Sequence, residues 1–134
     1  MRTTELRVRT GDRLVTDLTA EVRAFAAEGG GDGLLQVFVP HATAGVALIE
    51  TGSGSETDLA AAIDRLVPRD AGYAHAHGSA GHGGDHVLPA FVAPSLTIPV
   101  VAGAPQFGVW QSVVVVDPNL DNPDRTVRLS FLAG

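Results

Sequence analysis

Apolar positions fall in short blocks along the chain, and their spacing switches between two and three or four. Over residues 3–9, Leu6 and Val8 alternate with Arg7 and Arg9, the period of a half-buried strand. Gly11-Asp12 marks a turn. Val15, Leu18, Val22, Phe25 and Ala26 then recur every three or four positions. This predicts an amphipathic helix over 15–27, capped by Thr16 or Asp17 and ended by the glycines from Gly29. Residues 34–39 form a strongly apolar strand stopped by Pro40, and 46–49 form a second, with a bulge or sharp bend between them. A second helix is predicted over 56–66, with Leu59, Ala62, Ile63 and Leu66 as its buried stripe, Ser55 as cap and Pro68 as its stop.

The segment 69–89 has no such period, and Gly83-Gly84 argues against a helix there. A short helical turn fits 88–91, and a strand fits 96–101, in which Pro99 calls for an edge position or a bulge. Residues 103–107 turn the chain, 113–116 read as a buried strand, 117–124 as a hairpin loop, and 126–132 alternate again. Short links between consecutive strands imply antiparallel pairing. The expected fold is therefore α+β: a mostly antiparallel β-sandwich with two main helices, one domain over residues 1–134 and no internal repeat.

Composition narrows the chemistry. The 134 residues suit a single domain, and 45% hydrophobic against 18% charged residues opposes disorder. With no cysteine there is no disulfide framework, thiolate zinc site or thiol nucleophile. All nine basic residues are arginines, so Schiff-base chemistry and a phosphate-loop lysine are also excluded. A net charge of −6 argues against nucleic-acid binding. The chain lacks an eighteen-residue apolar run, and its first residues lack the apolar stretch of a signal peptide. A soluble, cytoplasmic protein with no membrane partner is expected.

Four of the five histidines, His75, His77, His82 and His86, fall between Tyr73 and Pro89. His75 and His77 share a face if extended, and His82 and His86 have the spacing of one helix face. Neutral imidazoles suit zinc and related metals, with Asp85, Glu50 and Asp58 available as carboxylates around such a site. The same spacing also fits a solvated polar loop or acid–base chemistry. His41, at a strand end beside small residues, can face a cavity. Trp110 serves either as a core or subunit plug, or as a flat wall for a heterocycle with Gln111 as donor and acceptor. Arg125 and Arg128 face opposite sides of the last strand, which leaves one able to reach a phosphate. Thr43 and the amides around Ala44-Gly45 could form an anion-binding nest. No Gly-x-Ser-x-Gly elbow supports a serine hydrolase.

Taken in order, Val39-Pro40-His41-Ala42-Thr43-Ala44-Gly45, Glu50, Asp58, Tyr73-Ala74-His75, Asp85-His86-Val87-Leu88 and Gly108-Val109-Trp110-Gln111 resemble the YjbQ family. This family is also called UPF0047 or the secondary thiamine-phosphate synthase family. The resemblance implies a compact sandwich assembled as a homotrimer, with a site built on His41, Glu50, Asp58, His75 and His86. It further implies a divalent metal (zinc, or magnesium or manganese) on His41, His75 and His86; His82, where this sequence departs from the family, is either an extra ligand or a replacement for one hydrogen-bonding group. Catalytic roles would fall to Glu50, Asp58 and His41, and contacts to a small phosphorylated ligand to Thr43, Trp110, Gln111 and Arg125. The implied reaction joins hydroxymethylpyrimidine diphosphate to thiazole phosphate with release of pyrophosphate, as a secondary activity. The same cluster would also serve a metal-dependent phosphate-ester hydrolase or a non-enzymatic metal- or ligand-binding trimer. His82 and Ile49 depart from the family pattern, where asparagines are common, and Val109 replaces a threonine.

Overall fold

The computed structural model describes residues 1–134. It consists of strands β1 (Arg2–Arg9) and β2 (Val15–Asp17), helix α1 (Thr19–Gly29), β3 (Gly33–Phe38), β4 (Gly45–Ile49), α2 (Ser55–Leu66) and α3 (His82–Asp85). A 3-10 turn, Leu88–Ala90, precedes β5 (Ser95–Val101), β6 (Ala104–Pro105), β7 (Ser112–Val116) and β8 (Asp124–Ala133). Two antiparallel sheets run in the order β1-β8-β3-β5-β6 and β2-β7-β4. This is the α+β, two-sheet architecture expected from the pattern. No helix is long and apolar enough to cross a membrane.

The main core lies between the inner face of the larger sheet and the smaller sheet together with α1. Leu35, Val37, Ile98, Val127 and Leu129 pack there with Val22, Phe25, Val113 and Val115. A second cluster, Ile63, Val67, Leu88, Val114 and Val116, seals the opposite face of β7. The four consecutive valines of β7 are thus buried on both faces, which is why they do not alternate with polar residues. Each fully buried aliphatic side chain contributes on the order of 1.5–3 kcal/mol.

Several local expectations are corrected. Residues 15–17 form a strand rather than the start of α1, because Val15, Thr16 and Asp17 pair with Val116, Val115 and Val114. β-branched Val15 and Thr16 suit that pleat better than a helical turn. Asp17 Oδ1 accepts the Thr19 N–H at 2.8 Å, but the N-cap position is Leu18. At α2 the N-cap is Gly54 at φ +92°, and Ser55 is its first helical residue. Residues 117–124 do not close a hairpin; they carry the chain from β7 in one sheet to β8 in the other. Pro99 lies in β5 with its carbonyl accepting Gln106 N–H at 2.8 Å, on the side away from β3, so its missing N–H costs no ladder bond to β3.

Candidate metal centre

The histidine segment is held by its glycines. Residues 82–85 do form a helical turn despite Gly83-Gly84, because Tyr73 lies over them. A Cβ at Gly83 would come within 2.5 Å of Tyr73 Cβ, and one at Gly84 within 3.1 Å of its hydroxyl. The chain enters this turn through Gly81 at φ +82°, a conformation costly for other residues. The turn places His82 and His86 one above the other, with their Nε2 atoms 2.9 Å apart.

The preceding loop brings His75 and His77 to the same place, their ring centroids 4.0 Å apart. His75 also lies 4.2 Å from His86 between centroids. One nitrogen from each of His75, His77, His82 and His86 lies within 4.8 Å of the others. The cluster opens onto a cavity of about 410 Å³ lined by the 69–83 segment, Arg69 and Tyr73 included. Burial and the neighbouring rings, His77 and His82 for His75 and all three for His86, push the His75 and His86 imidazoles below the ordinary histidine range. At His75 and His86 the neutral, ligand-competent form is thus favoured.

Around them stands a polar frame. His82 is buried, and its Nδ1 faces Asp121 Oδ2 at 3.2 Å and Asp85 Oδ2 at 3.5 Å. Arg69 clamps Asp85 at 2.7 Å, and also donates to Ala80 O at 3.0 Å and Pro118 O at 3.4 Å. Burial raises the Asp85 carboxyl from its ordinary value against the pull of Arg69. The Ser79 N–H donated to Asp121 at 3.0 Å holds the Asp121 carboxyl below its ordinary value.

His75, His82 and His86 therefore meet as expected, and Asp85 stands behind His82. His77 belongs to the same group, and its place was signalled by the two-residue spacing from His75. Arg69 and Asp121 were not foreseen. They lie 13 and 39 residues from His82, and only tertiary packing reveals them.

The other site residues lie elsewhere. His41 is not in the cluster: its Nε2 accepts the Thr126 N–H at 2.9 Å. Arg125 is not free for a phosphate. It is 4% exposed and paired through Nε with Asp117, and it donates from Nη2 to Thr43 Oγ1 at 3.3 Å. Thr43 also takes an N–H from Asn119 Nδ2 at 3.3 Å, so both acceptor lone pairs of its hydroxyl are used within the protein. Glu50 follows the end of β4 that pairs with Ser112, whereas the 117–121 frame continues from Val116 at the other end. About five residues at ~3.3 Å each separate those ends, on the order of 16 Å. Asp58 sits in the first turn of α2, and Arg69 lies beyond its last. Trp110 is 76% exposed and plugs no core of this chain, while Gln111 Oε1 accepts the Gly108 N–H of its own turn at 2.7 Å.

The donor set is chemically coherent for a metal. Four imidazoles with no carboxylate among them suit a borderline transition ion such as zinc, and not magnesium, which prefers oxygen. The orphaned buried atoms His82 Nδ1 and Asp85 Oδ2 fall on the outer side of the same cluster.

A family profile described as UPF0047 protein YjbQ-like matches residues 4–134. The chain is 61% identical over 134 residues to a UPF0047 protein of Mycobacterium tuberculosis, covering 100% of both chains. It is 31% identical over 131 residues to a UPF0047 protein of Methanothermobacter thermautotrophicus, covering 96% of this chain and 90% of that one. Among solved structures, a hypothetical protein of Aeropyrum pernix superposes over 100% of both chains with a TM-score of 0.89 at 33% identity. A YbjQ-like protein of unknown function from Sulfolobus solfataricus matches with a TM-score of 0.91 at 20% identity, covering 99% and 97%, which shows the shared fold. With its profile matched from residue 4 to the C-terminus, the chain belongs to the YjbQ-like UPF0047 family.

Proposed function

We propose that this protein holds a zinc-class divalent ion on His75, His82 and His86, with His77 beside them and a fourth position left to water, and that the loaded centre hydrolyses a small phosphate ester. The observation that carries this reading is the approach of four imidazole nitrogens within 4.8 Å of one another, beside a cavity of about 410 Å³. When bound, such an ion supplies Lewis acidity toward water and a phosphoryl oxygen. The chain's own residues hold the rings: Tyr73 fixes the glycine turn, Asp121 and Asp85 back His82, and Arg69 ties Asp85 to the 80 and 118 backbones.

Transfer of hydroxymethylpyrimidine from its diphosphate to thiazole phosphate is the second reading. The cavity volume favours it, since it falls within the range of small-ligand pockets. Its weakness is charge. Arg125 is sequestered, and Arg69 already serves Asp85, which leaves little to offset a departing pyrophosphate. A homotrimer is part of the proposal, and the exposure of Val109 at 88% and Trp110 at 76% supports it.

Calorimetric titration with zinc should give one ion per chain, and His75→Ala and His86→Ala should each abolish that binding. The loaded protein should release inorganic phosphate from a panel of phosphomonoesters. Full zinc stoichiometry in both variants would remove the ligand assignment. Pyrophosphate formed only on mixing the two heterocyclic substrates would select the transferase.

A further inference from the structure

We propose that Asp121 is a positioning residue which, together with Asp85, fixes the ring orientation and tautomer of His82, so that Nε2 presents its lone pair to the other three imidazoles. His82 is only 7% exposed, and its Nδ1 has no hydrogen-bond partner of good geometry. The atoms facing it are nonetheless both carboxylate oxygens, Asp121 Oδ2 at 3.2 Å and Asp85 Oδ2 at 3.5 Å. A carboxylate oxygen accepts and never donates when ionised, so this pair selects the form with the proton on Nδ1. The free lone pair then lies on Nε2, the atom 2.9 Å from His86 Nε2. A neutral histidine in water favours neither arrangement as rigidly. Here the choice is imposed from the side of the ring remote from the cluster.

Asp121 can impose it because its own position is over-determined. Its Oδ2 accepts the Ser79 N–H at 3.0 Å. Its N–H donates to Asn119 Oδ1 at 2.6 Å, and the Asn119 N–H donates to Asp117 Oδ1 at 3.0 Å. Asp117 is 2% exposed and is paired with Arg125. Two successive side-chain-to-backbone turns therefore tether Asp121 to a buried ion pair. On the other flank, Arg69 occupies Asp85 Oδ1 at 2.7 Å, which leaves Oδ2 for His82.

The test reads histidine ring nitrogens by long-range proton–nitrogen NMR on the metal-free protein at pH 8, and zinc affinity by chelator competition. Only the zinc arm rests on the metal reading above. In the wild type His82 should carry its proton on Nδ1. Asp121→Ala should move the population toward Nε2–H and weaken zinc by roughly 10–100-fold, the usual effect of losing a partner behind a metal-bound histidine. Asp121→Asn, which keeps an acceptor oxygen, should restore the wild-type tautomer. A wild-type His82 protonated on Nε2, or Asp121→Ala with an unchanged tautomer, would overturn the proposal. If Asp121→Ala does not fold, the wild-type tautomer decides alone. Failure of the wild type to bind zinc would instead remove the metal reading and leave the tautomer result standing.

Discussion

His41 illustrates how a side chain at a plausible site position can be given to the scaffold. Its Nε2 accepts the Thr126 N–H, which joins the bend after β3 to the last strand. Burial, then the nearby Arg125 guanidinium, lowers its pKa below the ordinary histidine value, with Asp117 opposing. The folded protein therefore binds this proton less readily than the unfolded chain, whose imidazole titrates near about 6.5. Stability from this group is present above that value and is lost as pH falls below it. Melting temperature should drop between pH 7.5 and 5.5, and the drop should be smaller in His41→Gln, which keeps an acceptor for Thr126. An equal drop in both proteins would count against His41 as a contributor. The Asp117–Arg125 pair works by the same logic of satisfaction: each partner makes the burial of the other tolerable, so neither is spare for a ligand.

At the scale of elements, α3 depends on what it lacks. A turn containing Gly83 and Gly84 has poor intrinsic helix propensity, and the packing of Tyr73 against its bare backbone offsets that deficit. Gly83→Ala should therefore destabilise the protein in spite of Ala's better propensity. Its Cβ would meet Tyr73 Cβ at 2.5 Å, an overpacking that costs about 1–3 kcal/mol. Thermal unfolding should report the loss, and calorimetry should show weaker zinc binding because His82 shifts with the turn. A higher melting temperature would mean that Tyr73 moves aside freely. β2 teaches a related lesson. Apolar spacing continued the α1 period back to Val15, but edge pairing with β7 claimed those three residues.

For the whole molecule, the two sheets and the helices on either side of the smaller one bury the apolar blocks, yet Val109 and Trp110 remain outside. If these residues pack between copies, sedimentation velocity should give three times the 13.8 kDa chain mass, and Trp110→Ala should shift it toward the monomer. A monomer at tens of micromolar would refute the trimer.

Much of the fold was legible in the chain itself. Alternation, helical spacing and short polar links specified α+β architecture, most strands, both main helices and the antiparallel pairing. These signals are local, because each element advertises its own buried face. Crowding of histidines between Tyr73 and Pro89 likewise marked where the imidazoles gather. Tertiary structure alone decided which histidines converge, that His41 and Arg125 belong to the scaffold, and that Arg69 and Asp121 frame His82. Those choices depend on contacts between residues far apart in sequence and on the pairing of buried polar groups, neither of which leaves a period in the chain.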